Sequence, residues 1–141
     1  MLKELKINKN EITVDYPRFK NFKLKMRYVP RDELSTLREK HSTISFNRAS
    51  RAREESVDFE KFIDSYIKQV IAGWSGLTFE IVQALVPIEV SEAELTKEVP
   101  YTHEDALWLV KNSNEFDTFV TDTMSQVDLF SVTNKEAQLK K

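Results

Sequence analysis

The chain has no cysteine, and among its 141 residues there are only two glycines and four prolines. Without cysteine it can form no disulfide and offer no thiolate as nucleophile or metal ligand, a composition that fits a reducing compartment. The two glycines, Gly73 and Gly76, leave no material for a glycine-rich phosphate loop. A serine elbow needs glycine two residues before and two after the serine, and Gly73-Trp74-Ser75-Gly76 lacks that spacing. The only histidines, His41 and His103, are too far apart in sequence to form the close pair common in zinc sites. His103 falls in the first turn of an expected helix beside Glu104 and Asp105, where it is expected to face solvent. The acids Asp117, Asp122 and Asp128 fall on polar helix faces, where burial does not raise a carboxylate's pKa. No apolar run approaches the ~18 residues of a membrane span. The N-terminal Met1-Leu2-Lys3-Glu4-Leu5-Lys6 lacks the apolar centre of a signal peptide. These absences lead to the expectation of a cytoplasmic protein that is no enzyme, holds no metal or cofactor and does not enter a membrane.

The residues present describe a folded chain with an uneven charge. Apolar residues make up 40%, enough for one core, and charged residues 31%, enough for a solvated surface. Residues 1–53 carry 14 Lys and Arg against 6 Asp and Glu, a net of +8. Residues 54–141 carry 7 against 17, a net of −10, and the two give the overall −2. Such a split can serve a nucleic-acid-binding arm. It can also draw the halves together, within one molecule or between neighbours as a weak homo-oligomer. The basic half lacks a compact Lys/Arg block, its densest stretch being Arg48-Ala49-Ser50-Arg51-Ala52-Arg53, which favours the second use.

The period of the apolar pattern changes along the chain. Residues 12–16 alternate, Pro17 turns the chain, and Phe22, Leu24, Met26 and Tyr28 alternate again, predicting a small antiparallel strand pair. Pro30 ends it, and residues 31–40 read as a helix with Leu34 and Leu37 inward. Residues 41–50, rich in Ser, Thr and Asn, read as a loop or hinge. From Glu54 to Ala72 a long helix is predicted, its stripe being Phe59, Phe62, Ile63, Tyr66, Ile67, Val70 and Ile71. Thr78 caps a short helix stopped by Pro87. Residues 88–99 form an acidic loop with room for a helical turn at residues 91–94. Thr102 caps a further helix, residues 112–114 interrupt it, and Phe116, Phe119, Val120, Thr123, Met124 and Val127 mark the last. The fold class is therefore mainly α (α+β), a small N-terminal strand pair followed by a compact helical bundle. The predicted divisions are 1–47, basic hairpin plus helix; 48–130, acidic helical domain; and 131–141, a polar, disordered tail.

Gly73 falls where the long helix needs a left-handed residue to stop. Trp74 beside it either plugs the core at a structural corner or presents that corner to a partner. Trp74, Leu77 and Trp108 are the candidate partner-contact residues; catalytic, cofactor and metal residues are none.

Taken in order, these features resemble the tail assembly chaperones of long-tailed, siphovirus-type bacteriophages. The likeness is carried by Asp15-Tyr16-Pro17-Arg18, by Tyr28-Val29-Pro30-Arg31-Asp32-Glu33-Leu34 opening a helix, and by the amphipathic helix that ends in Ile71-Ala72-Gly73-Trp74-Ser75-Gly76-Leu77-Thr78. Val99-Pro100-Tyr101-Thr102 then opens another helix, and Phe116, Phe119 and Val120 lie in the last. It covers most of residues 11–130, although residues 78–99 lack the glycine usual in that loop. The resemblance implies a non-enzymatic chaperone of the host cytoplasm, absent from the mature virion. Such a protein keeps the helical tape measure protein soluble while tail tube subunits assemble around it, and a longer frameshifted form recruits the tail tube protein. Two other functions fit the residues alone: a small nucleic-acid-binding regulator using the basic half, and a structural component of the virion.

Overall fold

The computed structural model describes residues 1–131, without the side chains of Ser45, Asn47 and Glu55. Strands β1 (Ile12–Asp15) and β2 (Lys23–Met26) pair antiparallel, Val14 opposite Leu24 and Ile12 opposite Met26. Their alternation buries Ile12, Val14, Leu24 and Met26 on one face and exposes the residues between them. The expected strand pair is therefore present, but it belongs to a three-stranded sheet of order β1-β2-β5. Strand β5 (Ile71–Ser75) comes from the middle of the chain and pairs with β2, placing Leu24 opposite Trp74. Lys25 faces Gly73 and Met26 faces Ile71, so Ala72 bulges out of the ladder.

Among the described residues there are five α-helices: α1 (Arg31–Lys40), α2 (Phe59–Val70), α3 (Phe79–Leu85), α4 (His103–Asn112) and α5 (Asn114–Ser125). The helix expected at residues 31–40 has those bounds, with Pro30 at its N-cap and Leu37 buried. Thr78 accepts a hydrogen bond from the Ile81 N–H, and Thr102 one from Asp105, as their spacing predicts. The interruption at residues 112–114 is a cap: buried Ser113 ends α4, and its Oγ accepts from the Phe116 N–H at 3.1 Å to start α5. Residues 92–94 form a 3-10 turn within the acidic loop.

Two expectations are corrected. Residues 42–57 are neither hinge nor helix but a hairpin of β3 (Ser42–Asn47) and β4 (Ala52–Val57), turned by residues 48–51 with Arg51 at φ 56°. Helix α2 therefore starts at Phe59, not at Glu54, with Asp58 capping the Lys61 N–H. The division placed at residue 47 falls at the turn of this hairpin. The second correction concerns Gly73, which is no helix stop. Helix α2 ends at Val70, and Ile71 is already extended at φ −100° and ψ 118°, so helix and strand join without a loop. The left-handed residue is Gly76, at φ 74°.

The core lies between the sheet and helices α2, α4 and α5. Phe22, Leu24, Met26, Ile67, Val70, Ala106 and Phe116 are each wholly buried. Its aromatic part joins sheet to α5: Tyr16 lies 4.5 Å from Phe119 between ring centroids, and Phe22 stacks on Phe116 at 6.4 Å. No helix among the described residues is long and apolar enough to cross a membrane. The tail expected over residues 131–141 lies, apart from Ser131, outside the described residues.

Candidate partner-binding surface

The three candidate contact residues separate by burial. Trp74 is 8% exposed and its indole N–H donates to the Val99 carbonyl at 2.9 Å. Tyr101 meets it edge-on at 4.9 Å and donates its own hydroxyl to the Ile71 carbonyl. Leu77 is 1% exposed beneath the returning segment, whose Val99 N–H donates to the Leu77 carbonyl. The Trp74 side chain and the Leu77 main chain thus hold the returning segment, and both side chains are core. Trp108, on α4, is 41% exposed and remains available to a partner.

His103 departs from its expected place. Its Nε2 lies 2.6 Å from Oδ1 of Asp64 on α2, and its buried Nδ1 has no hydrogen-bond partner among the described residues. The hydrogen bond with His103 holds the Asp64 carboxyl below its ordinary value. His41 reaches Ser65, the next residue of α2, at 3.0 Å. The two histidines therefore fasten α2 to its neighbours through separate pairs, not a relay. Sequence spacing did not reveal this, because each partner lies at least 24 residues away. At the other end of the molecule Glu115 accepts from the Tyr16 hydroxyl at 2.6 Å and from Arg18 at 2.7 Å. Burial, then this acceptor, raises the Tyr16 phenol well above its ordinary value. The Arg18–Glu115 pair ties the basic half to the acidic half within one molecule. Among the described residues no group of three or more His, Asp or Glu is arranged to hold a metal ion.

An open concavity of about 600 Å³ lies where the chain leaves β2 for α1 and meets α2. Its floor is apolar, with Val29 and Leu37 each almost wholly buried and Tyr28 beside them. Its rim carries Lys9, Arg27, Lys40 and Lys68 against the single acid Glu33. Lys9 pairs with Glu33, and Arg27 pairs with Glu11 at 3.0 Å. Lys40 and Lys68 form no ion pair among the described residues. An apolar floor under a cationic rim suits the apolar stripe of a helix whose flanks are acidic. The sequence pattern places Leu37 inward, as found, but does not single out Val29, and the groove escapes it because its walls come from separate segments of the chain.

Apolar side chains are also exposed away from the groove. Leu2 and Leu5 of the N-terminal segment are 83% and 69% exposed, and Ile44 and Phe46 of β3 are 65% and 63% exposed. Comparison of the chain with family models, with characterised proteins and with solved structures returns no match.

Proposed function

We propose that this protein is a non-enzymatic assembly chaperone of the phage tail type, which binds amphipathic helices of the tape measure protein and keeps that client soluble. The groove between residues 27–29, α1 and α2 carries the reading: its floor holds buried Val29 and Leu37, and its rim carries Lys40 and Lys68. A client helix would lay its apolar stripe on that floor and its acids against the rim. Exposed Trp108 on α4 supplies a second contact. The sequence resemblance supports the choice of client and of host cytoplasm, and it adds tail tube subunits as the partners of a longer form.

Co-expression with a tape measure protein from the same genome tests this. The expected result is a higher soluble yield of client in a complex that survives purification and is weakened by reversing the rim with Lys40→Glu and Lys68→Glu. Both positions are exposed, so the variants keep their fold. The basic rim and Arg48, Arg51 and Arg53 favour a nucleic-acid regulator as the second reading. A client left insoluble, together with duplex binding that falls steeply with salt, establishes that reading instead. Detection of the chain in purified particles would favour a virion component.

A further inference from the structure

We propose that the hairpin β3–β4 is a self-association arm that pairs the outer edge of β3 with β3 of a second copy, antiparallel, about a two-fold axis at position 45. The inference is independent of the chaperone reading. The two-stranded sheet ends at β3 on one side and β4 on the other, so among the described residues each strand has an edge without a strand partner. The edges are unlike in chemistry. Strand β4 contains Arg53, Glu54 and Glu55, and charge is the usual guard of an exposed edge. Strand β3, Ser42-Thr43-Ile44-Ser45-Phe46-Asn47, has no charge and carries the β-branched and aromatic residues that favour sheet.

The apolar residues of β3 complement themselves. Ile44 and Phe46 share one face, two residues apart, and both are mostly exposed. An antiparallel register with position 45 facing its own copy sets Ile44 opposite Phe46 of the second copy, and Phe46 opposite its Ile44. Two aliphatic–aromatic cross-strand pairs then form on one face with no charge opposite a like charge. A one-residue slip would put Ile44 opposite a serine or an asparagine instead. The same register carries the hairpin tip, with Arg48 and Arg51, toward the base of the other hairpin. There Glu39, Asp58 and Glu60 stand among Arg38, Lys40 and Lys61, so charge neither drives nor opposes the pairing. The symmetry is isologous and closes at two copies. The contact is small, so the dimer is weak and reversible. Because apolar pairs hold it, it persists in salt that screens exposed charges.

The absence of native cysteine allows a direct test, since one introduced thiol is the only thiol. In the proposed register two cysteines at position 45 face each other within disulfide reach. Two at position 43 are separated by four residues of strand, about 13 Å. Under mild oxidation Ser45→Cys is expected to form a covalent dimer far faster than Thr43→Cys. Sedimentation from micromolar to sub-millimolar concentration is expected to show a reversible dimer, weakened roughly tenfold by Ile44→Lys. A wild-type monomer throughout that range overturns the proposal, whether or not β3 then accepts a strand from a client. So does a dimer indifferent to Ile44→Lys, or equal cross-linking at positions 43 and 45.

Discussion

Gly76 passes against the main chain of Asn21 so closely that a Cβ atom on it would lie 1.8 Å from the Asn21 carbonyl oxygen. The contact is between the two turns that close the sheet, one after β1 and one after β5. Gly73 contrasts with it, since a Cβ there would meet only the Lys25 side chain, at 3.8 Å.

Gly76→Ala is therefore expected to cost several times more stability than Gly73→Ala. Main-chain atoms cannot step aside cheaply, and the left-handed backbone adds strain, so ~2–4 kcal/mol is expected at Gly76 against less than ~1 at Gly73. Urea midpoints of the two variants measure the difference; equal midpoints would contradict the close approach.

The tryptophans should behave oppositely. Trp74→Ala empties a core site and strands the Val99 carbonyl, for roughly 3–5 kcal/mol. Trp108→Ala should cost less than ~1 kcal/mol, because its side chain is only partly covered. Thermal unfolding of both variants checks the order. Loss of client binding by folded Trp108→Ala would then report on contact, not on folding.

Stability should fall in acid through Asp64. Its carboxyl lies lower in the folded chain than in the unfolded one, because it is hydrogen-bonded to His103. Its contribution is thus complete above the unfolded carboxylate value, about 4, and is lost as pH falls through the folded one. Asp64→Asn should flatten that part of the pH–stability curve. A curve of unchanged shape below pH ~4 would show that the pair contributes nothing.

Tyr16 gives the converse case at high pH. Its phenol is raised, so the neutral form belongs to the folded state. The corresponding stability is present below the ordinary tyrosine value of ~10 and is lost only as pH rises through the raised one. Ultraviolet titration should find this tyrosine silent where an exposed one ionises. Tyr16→Phe keeps the ring against Phe119 but removes the bond to Glu115, for ~0.5–1.5 kcal/mol.

Where local chemistry decides the backbone, the sequence was a good guide. Pro30, Thr78 and Thr102 begin helices by their own geometry or by their own side-chain oxygen, and their neighbours in sequence reveal it, whereas Ser113 reads in sequence only as an interruption. The hairpin was hidden because its turn, Arg48 to Arg51, has no glycine or proline, and because Glu54 and Glu55 resemble the acidic first turn of a helix. Ile44 and Phe46 do alternate, but two apolar residues among serine, threonine and asparagine make a weak period. Gly73 misled for another reason: a glycine after a helical stripe usually marks a left-handed stop, whereas here it follows a direct passage from helix to strand. The groove and the Asp64–His103 pair depend on distant segments meeting, which no local pattern encodes.

The placement of β5 beside β2 has a consequence for how the chain can be divided. Residues 1–47 hold two strands of the main sheet, and residues after 52 hold the third together with most of the helical core. A protease cutting in the turn at residues 48–51 would sever the covalent link while leaving the β2–β5 ladder and the Arg18–Glu115 pair to hold the pieces together. The nicked protein should therefore migrate as a single species until denatured. Fragments made separately should each lack a folded sheet and regain it only on mixing, which makes this turn a natural place to split the protein for complementation.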